Sequence, residues 1–193
     1  MMSFEKQIRL SIANSTQVGF TLMELLIIVS IAALLLTTAL PSFRDFVVTN
    51  RQVSAINEFL STLRYARSEA VSRTRTISIC ASNDQTACSG NNNWELGWIA
   101  FEDIDSDGVL DGGDTPLLVG QDISDTFGLR AIIFDDTDVM RFSAQGTADS
   151  VGSFLLCDNR GSNDIRVINV NAVGQARVAT DQRDVNGAAT ACL

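Results

Sequence analysis

The chain has 193 residues, with 14 Lys and Arg against 23 Asp and Glu, a formal net charge of −9 and no histidine. That length holds one membrane segment and one globular domain of modest size, and the acidity argues against a general nucleic-acid surface. With no His, and no Lys beyond Lys6, the chain lacks the commonest catalytic base and the commonest amine nucleophile. It shows no GxSxG, P-loop or dinucleotide fingerprint, so no catalytic residue is assigned and the chain is not read as an enzyme.

Residues 1–19 carry Lys6 and Arg9 and then turn polar. From Phe20 to Leu40 there is no Lys, Arg or Asp. At about 1.5 Å per residue that run reaches roughly 30 Å, the thickness of a bilayer's hydrocarbon core. Residues 20–40 are therefore expected to form a transmembrane helix. The run is too long for a signal-peptide core, and no small-x-small cleavage site follows it. The basic, polar side is expected to stay cytoplasmic and the rest to be exported.

One carboxylate interrupts the apolar run. Glu24 lies in its first turns, and no cation follows before Arg44. An ionisable residue at membrane depth is costly and reads as functional. Its partner is expected to come from another molecule, or from an α-ammonium made by cutting the chain between Gly19 and Phe20.

The stretch "GFTLME", Gly19 to Glu24, followed by its apolar run, resembles the prepilin processing motif of type IV pilins and type II secretion pseudopilins. The resemblance implies cleavage after Gly19 by the prepilin peptidase and N-methylation of Phe20. It implies that Glu24 meets a neighbour's N-terminal amine during assembly. Pro41 stands where that family often bends its helix. Leu22–Met23–Glu24 departs mildly from the commoner Leu-Ile-Glu, a volume-conserving change.

From residue 41 to 75 the pattern stays helical. Ile56, Phe59, Leu60, Leu63, Ala66 and Ala70 recur at spacings of three and four and draw one apolar stripe. Arg44, Arg51, Arg64, Arg67 and Arg73 fall on or beside the other face. Pro41 is expected to bend this helix without ending it. The period then changes. "TISICAS", "GWIAFED", "AIIFDD", "MRFSAQG", "SFLLCDN" and "RVINVNAVGQARV" read as strands between Gly, Asn, Asp and Ser clusters. The expected architecture is α+β, a long helix packed on an antiparallel sheet over residues 76–193. Residues 60–82, 142–147, 154–161 and 166–178 resemble, in order, segments of the GspH/FimT group of minor pilins and minor pseudopilins.

All four cysteines, Cys80, Cys88, Cys157 and Cys192, lie in the part expected to be exported, where disulfides persist. Four cysteines allow three pairings; chain proximity favours 80–88 with 157–192. No His and no CxxC pair points to zinc.

"DIDSDGVLDGGD" places Asp103, Asp105 and Asp107 at alternate positions, Gly108 next, Leu110 as the apolar residue, then Asp111 and Asp114. Alternating hard oxygens with a glycine at the sharp turn suit Ca²⁺. Asp114 stands where an EF-hand has a bidentate Glu, and the flanks read as strands. The plainer reading is a solvated Asp/Gly-rich connection, and both readings stand at this level. The GspH/FimT resemblance raises DNA as well, because some members of that group bind it through a Gly-Arg-x-Arg motif. The matching stretch is Gly174–Gln175–Ala176–Arg177, in which Gln175 replaces the first Arg. Arg177 and, further on, Arg183 remain as phosphate contacts; the plainer reading pairs Arg177 with a nearby acid.

These readings converge on a minor pilin or pseudopilin of a type IV pilus or type II secretion pseudopilus. It is expected in a bacterial inner membrane, with its C-terminal domain periplasmic. The partners implied are other pilins or pseudopilins, the prepilin peptidase and membrane lipid, with a DNA-binding minor pilin as the alternative.

Overall fold

The computed structural model describes residues 19–158, 160 and 165–192. Apart from Gly19, the expected leader lies outside the described residues. One helix, α1 (Leu22–Arg73), runs through Pro41 without a break. Among the described residues eight strands follow: β1 (Ile77–Ala81), β2 (Trp98–Glu102), β3 (Thr115–Gly120), β4 (Phe127–Ile132), β5 (Val139–Phe142), β6 (Gly152–Asp158), β7 (Arg166–Val170) and β8 (Ala176–Val178). The chain divides into two compact units, Met1–Asp45 and Phe46–Leu193.

In the first unit, α1 carries large apolar side chains on every side, and Leu22, Leu25, Ile28, Ile31, Leu34 and Leu36 are all more than half exposed. Two hydroxyls in this stretch turn back onto their own helix. Ser30 donates to the Leu26 carbonyl at 2.7 Å and Thr37 to the Leu34 carbonyl at 2.8 Å. Each such bond removes a donor that hydrocarbon could not satisfy.

In the second unit, the six residues of the expected stripe, with Ala55, are all buried. Phe59 is fully enclosed, meeting Trp94, Trp98 and Phe154 edge-on at ring-centre distances of 5.6, 4.9 and 4.7 Å. That geometry suits aromatic quadrupoles. The indole N–H groups are satisfied, Trp94 by the Thr137 carbonyl at 2.8 Å and Trp98 by Thr62 Oγ1 at 3.2 Å.

The strands form two antiparallel four-stranded sheets, ordered β3-β2-β1-β5 and β4-β6-β7-β8, rather than the single sheet expected. Alternation along a strand reports which face is buried. It does not report which strand is the neighbour, so the division was not legible from periodicity. β1 is central and buried along its whole length, while β3, carrying Pro116, lies at a sheet edge where a missing N–H is tolerated.

Two strand boundaries differ from expectation. "AIIFDD" is not a strand of its own: β4 ends at Ile132, and Ile133 takes a φ of 73° that turns the chain. Phe134 then packs from that turn onto Phe154, at 4.8 Å. "RVINVNAVGQARV" is a hairpin of β7 and β8. Asn171 makes its turn, its carbonyl accepting Gly174 N–H at 2.8 Å and its Oδ1 accepting Gln175 N–H at 2.9 Å.

Two disulfides fasten this unit. Cys80 joins Cys88 across 8 residues, and Cys157 joins Cys192 across 35.

Candidate functional site

Three places hold the residues singled out from the sequence. The first is the start of α1. Gly19 and Phe20 precede the helix, and Phe20 is 77% exposed. Thr21 Oγ1 accepts the Glu24 backbone N–H at 3.2 Å, and the Thr21 carbonyl accepts Leu25 N–H at 3.1 Å. Thr21 is thus the N-cap, and Glu24 stands three residues on, the spacing of a capping box. A carboxylate in a first turn also faces the positive end of the helix dipole. Glu24 therefore has a local reason to be there, besides the pairing inferred from its depth. The T-x-x-E pattern was present in the sequence, hidden by the apolar run that follows it.

The second place is the connection from β2 to β3. Asp103 directly follows β2 and is buried. Its Oδ2 accepts Ser78 Oγ at 2.5 Å and Gly108 N–H at 3.0 Å. Asp114 directly precedes β3, and its two oxygens accept Ile104 N–H at 3.0 Å and Asp111 N–H at 3.2 Å. One carboxylate oxygen from each of Asp103, Asp105 and Asp114 lies within 4.8 Å of the others, and Asp105, Asp107 and Asp111 make a second such trio. All five aspartates are therefore linked through Asp105. Its carboxyl is pushed above the usual range by desolvation and by the charges of Asp107, Asp111 and Asp103, with a backbone hydrogen bond acting in the opposite sense.

The third place is the β7–β8 turn. Arg67, on α1, donates to the Gly146 carbonyl at 2.9 Å and to the Val173 carbonyl at 3.1 Å, pinning two turns. Gly174 has a φ of 73°, and a Cβ there would strike the Gly146 carbonyl, so only glycine fits this close approach. Arg64, Arg67, Gly174, Gln175, Ala176 and Arg177 line an open pocket of about 400 Å³. Arg177 has no carboxylate partner among the described residues, contrary to the plainer reading of it. Arg183 is not part of this pocket; it donates to the Gly187 carbonyl at 2.6 Å and lies 3.6 Å from Asp181. Sequence reasoning missed Arg64 and Arg67 as neighbours of Arg177, because that proximity depends on how the helix and the hairpin pack.

A further polar anchor also escaped the sequence. Asp158, at the end of β6, has a fully buried side chain that accepts Arg160 Nη2 at 2.6 Å and Nε at 2.8 Å. Arg160 Nη1 reaches Thr49 Oγ1 on α1 at 3.0 Å. A D-x-R triplet at a strand end was the available signal.

Comparison with known proteins follows the same lines. No curated protein matches the chain in sequence. Among solved structures, the chain is similar to the type IV minor pilin FimU of Pseudomonas aeruginosa strain PAO1 in two crystal forms. In one the identity is 28% with a TM-score of 0.54, over 72% of this chain and 95% of that one. In the other the identity is 26% with a TM-score of 0.52, over 69% and 97%. A family profile described as Type II transport protein GspH matches residues 55–174, more than half of the chain, from the buried stripe of α1 to the β7–β8 turn. The chain belongs to the GspH family of type IV pilin-like proteins, which comprises minor pilins and minor pseudopilins.

Proposed function

We propose that this chain is a minor pilin that primes or tips a type IV pilus, made as a precursor and cut between Gly19 and Phe20. The observation that carries this reading is the first part of α1. It is apolar on every side and uncovered, with Glu24 as the sole charged group from Phe20 to Leu40, and it belongs to a chain with a GspH-family globular unit. The similarity to a type IV minor pilin supports the choice of machine.

The steps follow from the chemistry. The precursor spans the inner membrane with its leader cytoplasmic and its globular unit periplasmic. Cleavage exposes the Phe20 α-ammonium, which is then methylated. In the filament the helix packs among neighbouring helices. Glu24 of one subunit meets the N-terminal ammonium of another, which offsets two buried charges and fixes axial register. Such a pair is a weak source of stability and a good source of partner choice.

The capping geometry supplies the discriminating test. Glu24→Gln keeps a capping-box side chain and removes the charge, whereas Glu24→Leu removes both. If the charge is what assembly uses, both variants fail to enter filaments in native membranes, and photo-crosslinks from this region to other pilins disappear. Normal assembly of Glu24→Gln would reduce Glu24 to a helix cap and overturn the pairing. Intact mass of the wild type is expected to start at methylated Phe20. Crosslinks to secretion pseudopilins instead of pilins would move the chain to a type II pseudopilus.

A second reading, binding of DNA, is favoured by one observation: Arg64, Arg67 and Arg177 share a pocket on an otherwise acidic chain. A few phosphate contacts give weak, salt-sensitive affinity. Arg177→Ala is expected to weaken retention on duplex DNA at low salt, and unchanged retention would remove this reading.

A further inference from the structure

The buried end of the acidic connection is incomplete as a hydrogen-bonded structure. Asp103 is 1% exposed, and its Oδ2 is filled by Ser78 and Gly108. Its Oδ1 is buried with no hydrogen-bond partner. No arginine pairs with Asp103 among the described residues. A buried carboxylate oxygen left bare is an exception to how native interiors treat such atoms, and an unseen ion is one of its standard explanations.

What surrounds that carboxylate decides which ion. Carboxylate oxygens of Asp103, Asp105 and Asp114 lie within 4.8 Å of one another. Two ligands of one Ca²⁺, each 2.3–2.6 Å from it, stand at most about 5 Å apart, so the spacing within the trio is in the range of ligands that share one ion. All donors are hard oxygens. The chain has no His, and all four cysteines are in disulfides, which leaves no thiolate or imidazole ligand for zinc or copper. Mg²⁺ requires a tighter octahedron at about 2.0–2.1 Å. The second trio, sharing Asp105, offers the additional anionic oxygens that a larger and more flexible sphere takes up.

We propose that the β2–β3 connection is a Ca²⁺ site, in which the buried, unpartnered Oδ1 of Asp103 coordinates the ion together with Asp105 and Asp114. The location gives the ion a structural task. Glu102 and Thr115 are the last paired residues of the β2–β3 ladder, and Asp103 and Asp114 are the residues directly beyond them. An ion held by both closes the neck of the loop and fastens β3, an edge strand, to β2.

The test uses the full chain in detergent micelles, stripped of metal, with Ca²⁺ alone as the probe. CaCl₂ at 10 mM is expected to raise the Tm by about 3 °C above NaCl of equal ionic strength, and MgCl₂ by less than half as much. Asp105→Asn and Asp114→Asn are each expected to weaken the apparent Ca²⁺ affinity at least tenfold, each shift being read against the metal-free melting of the same variant. Asp103 is left intact in these variants because its Oδ2 holds Ser78 and Gly108. Equal shifts from Ca²⁺ and Mg²⁺ would mean charge screening and overturn the site. So would a Ca²⁺ shift that survives Asp105→Asn and Asp114→Asn combined in one chain, or no shift beyond that of NaCl.

Discussion

The two parts of α1, Leu22–Asp45 and Phe46–Arg73, are one continuous helix with opposite surfaces. In the first, apolar side chains go all round and are exposed; in the second, the stripe from Ile56 to Ala70 is buried, and Phe46, Val53 and Val71 lie exposed outside it. The difference teaches what periodicity measures. A stripe at 3.6-residue spacing appears where one face meets protein and the other meets water. A helix surrounded by hydrocarbon has no wet face, so its pattern is uniform, and its rare polar groups carry the information.

The largest effect that tests this contrast is a matched pair of truncations. Phe59→Ala, at the centre of the aromatic cluster, is expected to cost about 3–5 kcal/mol and to collapse the melting transition of the globular unit. Leu34→Ala in the first part is expected to change that transition by less than about 0.5 kcal/mol. Thermal denaturation in micelles measures both, and comparable losses from the two would break the comparison. The disulfides come next. In the chain-entropy account, the bridge closing 35 residues outweighs the one closing 8 by about 1 kcal/mol. The Cys157→Ser/Cys192→Ser double variant should therefore melt below Cys80→Ser/Cys88→Ser, and denaturant titration of both settles the order.

The smallest effect is electrostatic and lies inside the shorter bridge. The Asp84 carboxylate accepts the Thr86 and Ala87 backbone N–H groups at 2.9 and 3.0 Å, which holds its pKa down to about 2. An unfolded Asp titrates near 3.9, so the folded value is the lower one. Its contribution is present above about pH 4 and is lost as pH falls toward 2. An NMR titration should place the Asp84 midpoint near 2, and Asp84→Asn should lessen the fall in Tm across that window. A midpoint near 4 would show that the turn does not hold the carboxylate.

Much of this was legible before the structure. The six stripe residues were readable because a helix against a core leaves a periodic trace. The family was readable because Gly19 to Glu24 and the downstream strands are local strings. The division into two sheets was not, since pairing is a relation between distant segments. The candidate sites split the same way. The five aspartates were visible as a loop, but only the fold shows that Asp103 is buried with one bare oxygen while Asp105, Asp107 and Asp111 face water. The Arg64–Arg67–Arg177 pocket needed the packing of a helix on a hairpin more than a hundred positions downstream.

The Cys157–Cys192 bridge also bears on timing. On the proposed topology, the segment between the two cysteines must cross the membrane before the second thiol can reach the first. A chain stalled between them displays an unpaired thiol on the oxidising side, open to mixed disulfides with redox enzymes, whereas a completed chain hides both sulfurs in one bond. The long bridge would thus act as a mark of finished export, separating subunits ready for a filament from those still in transit.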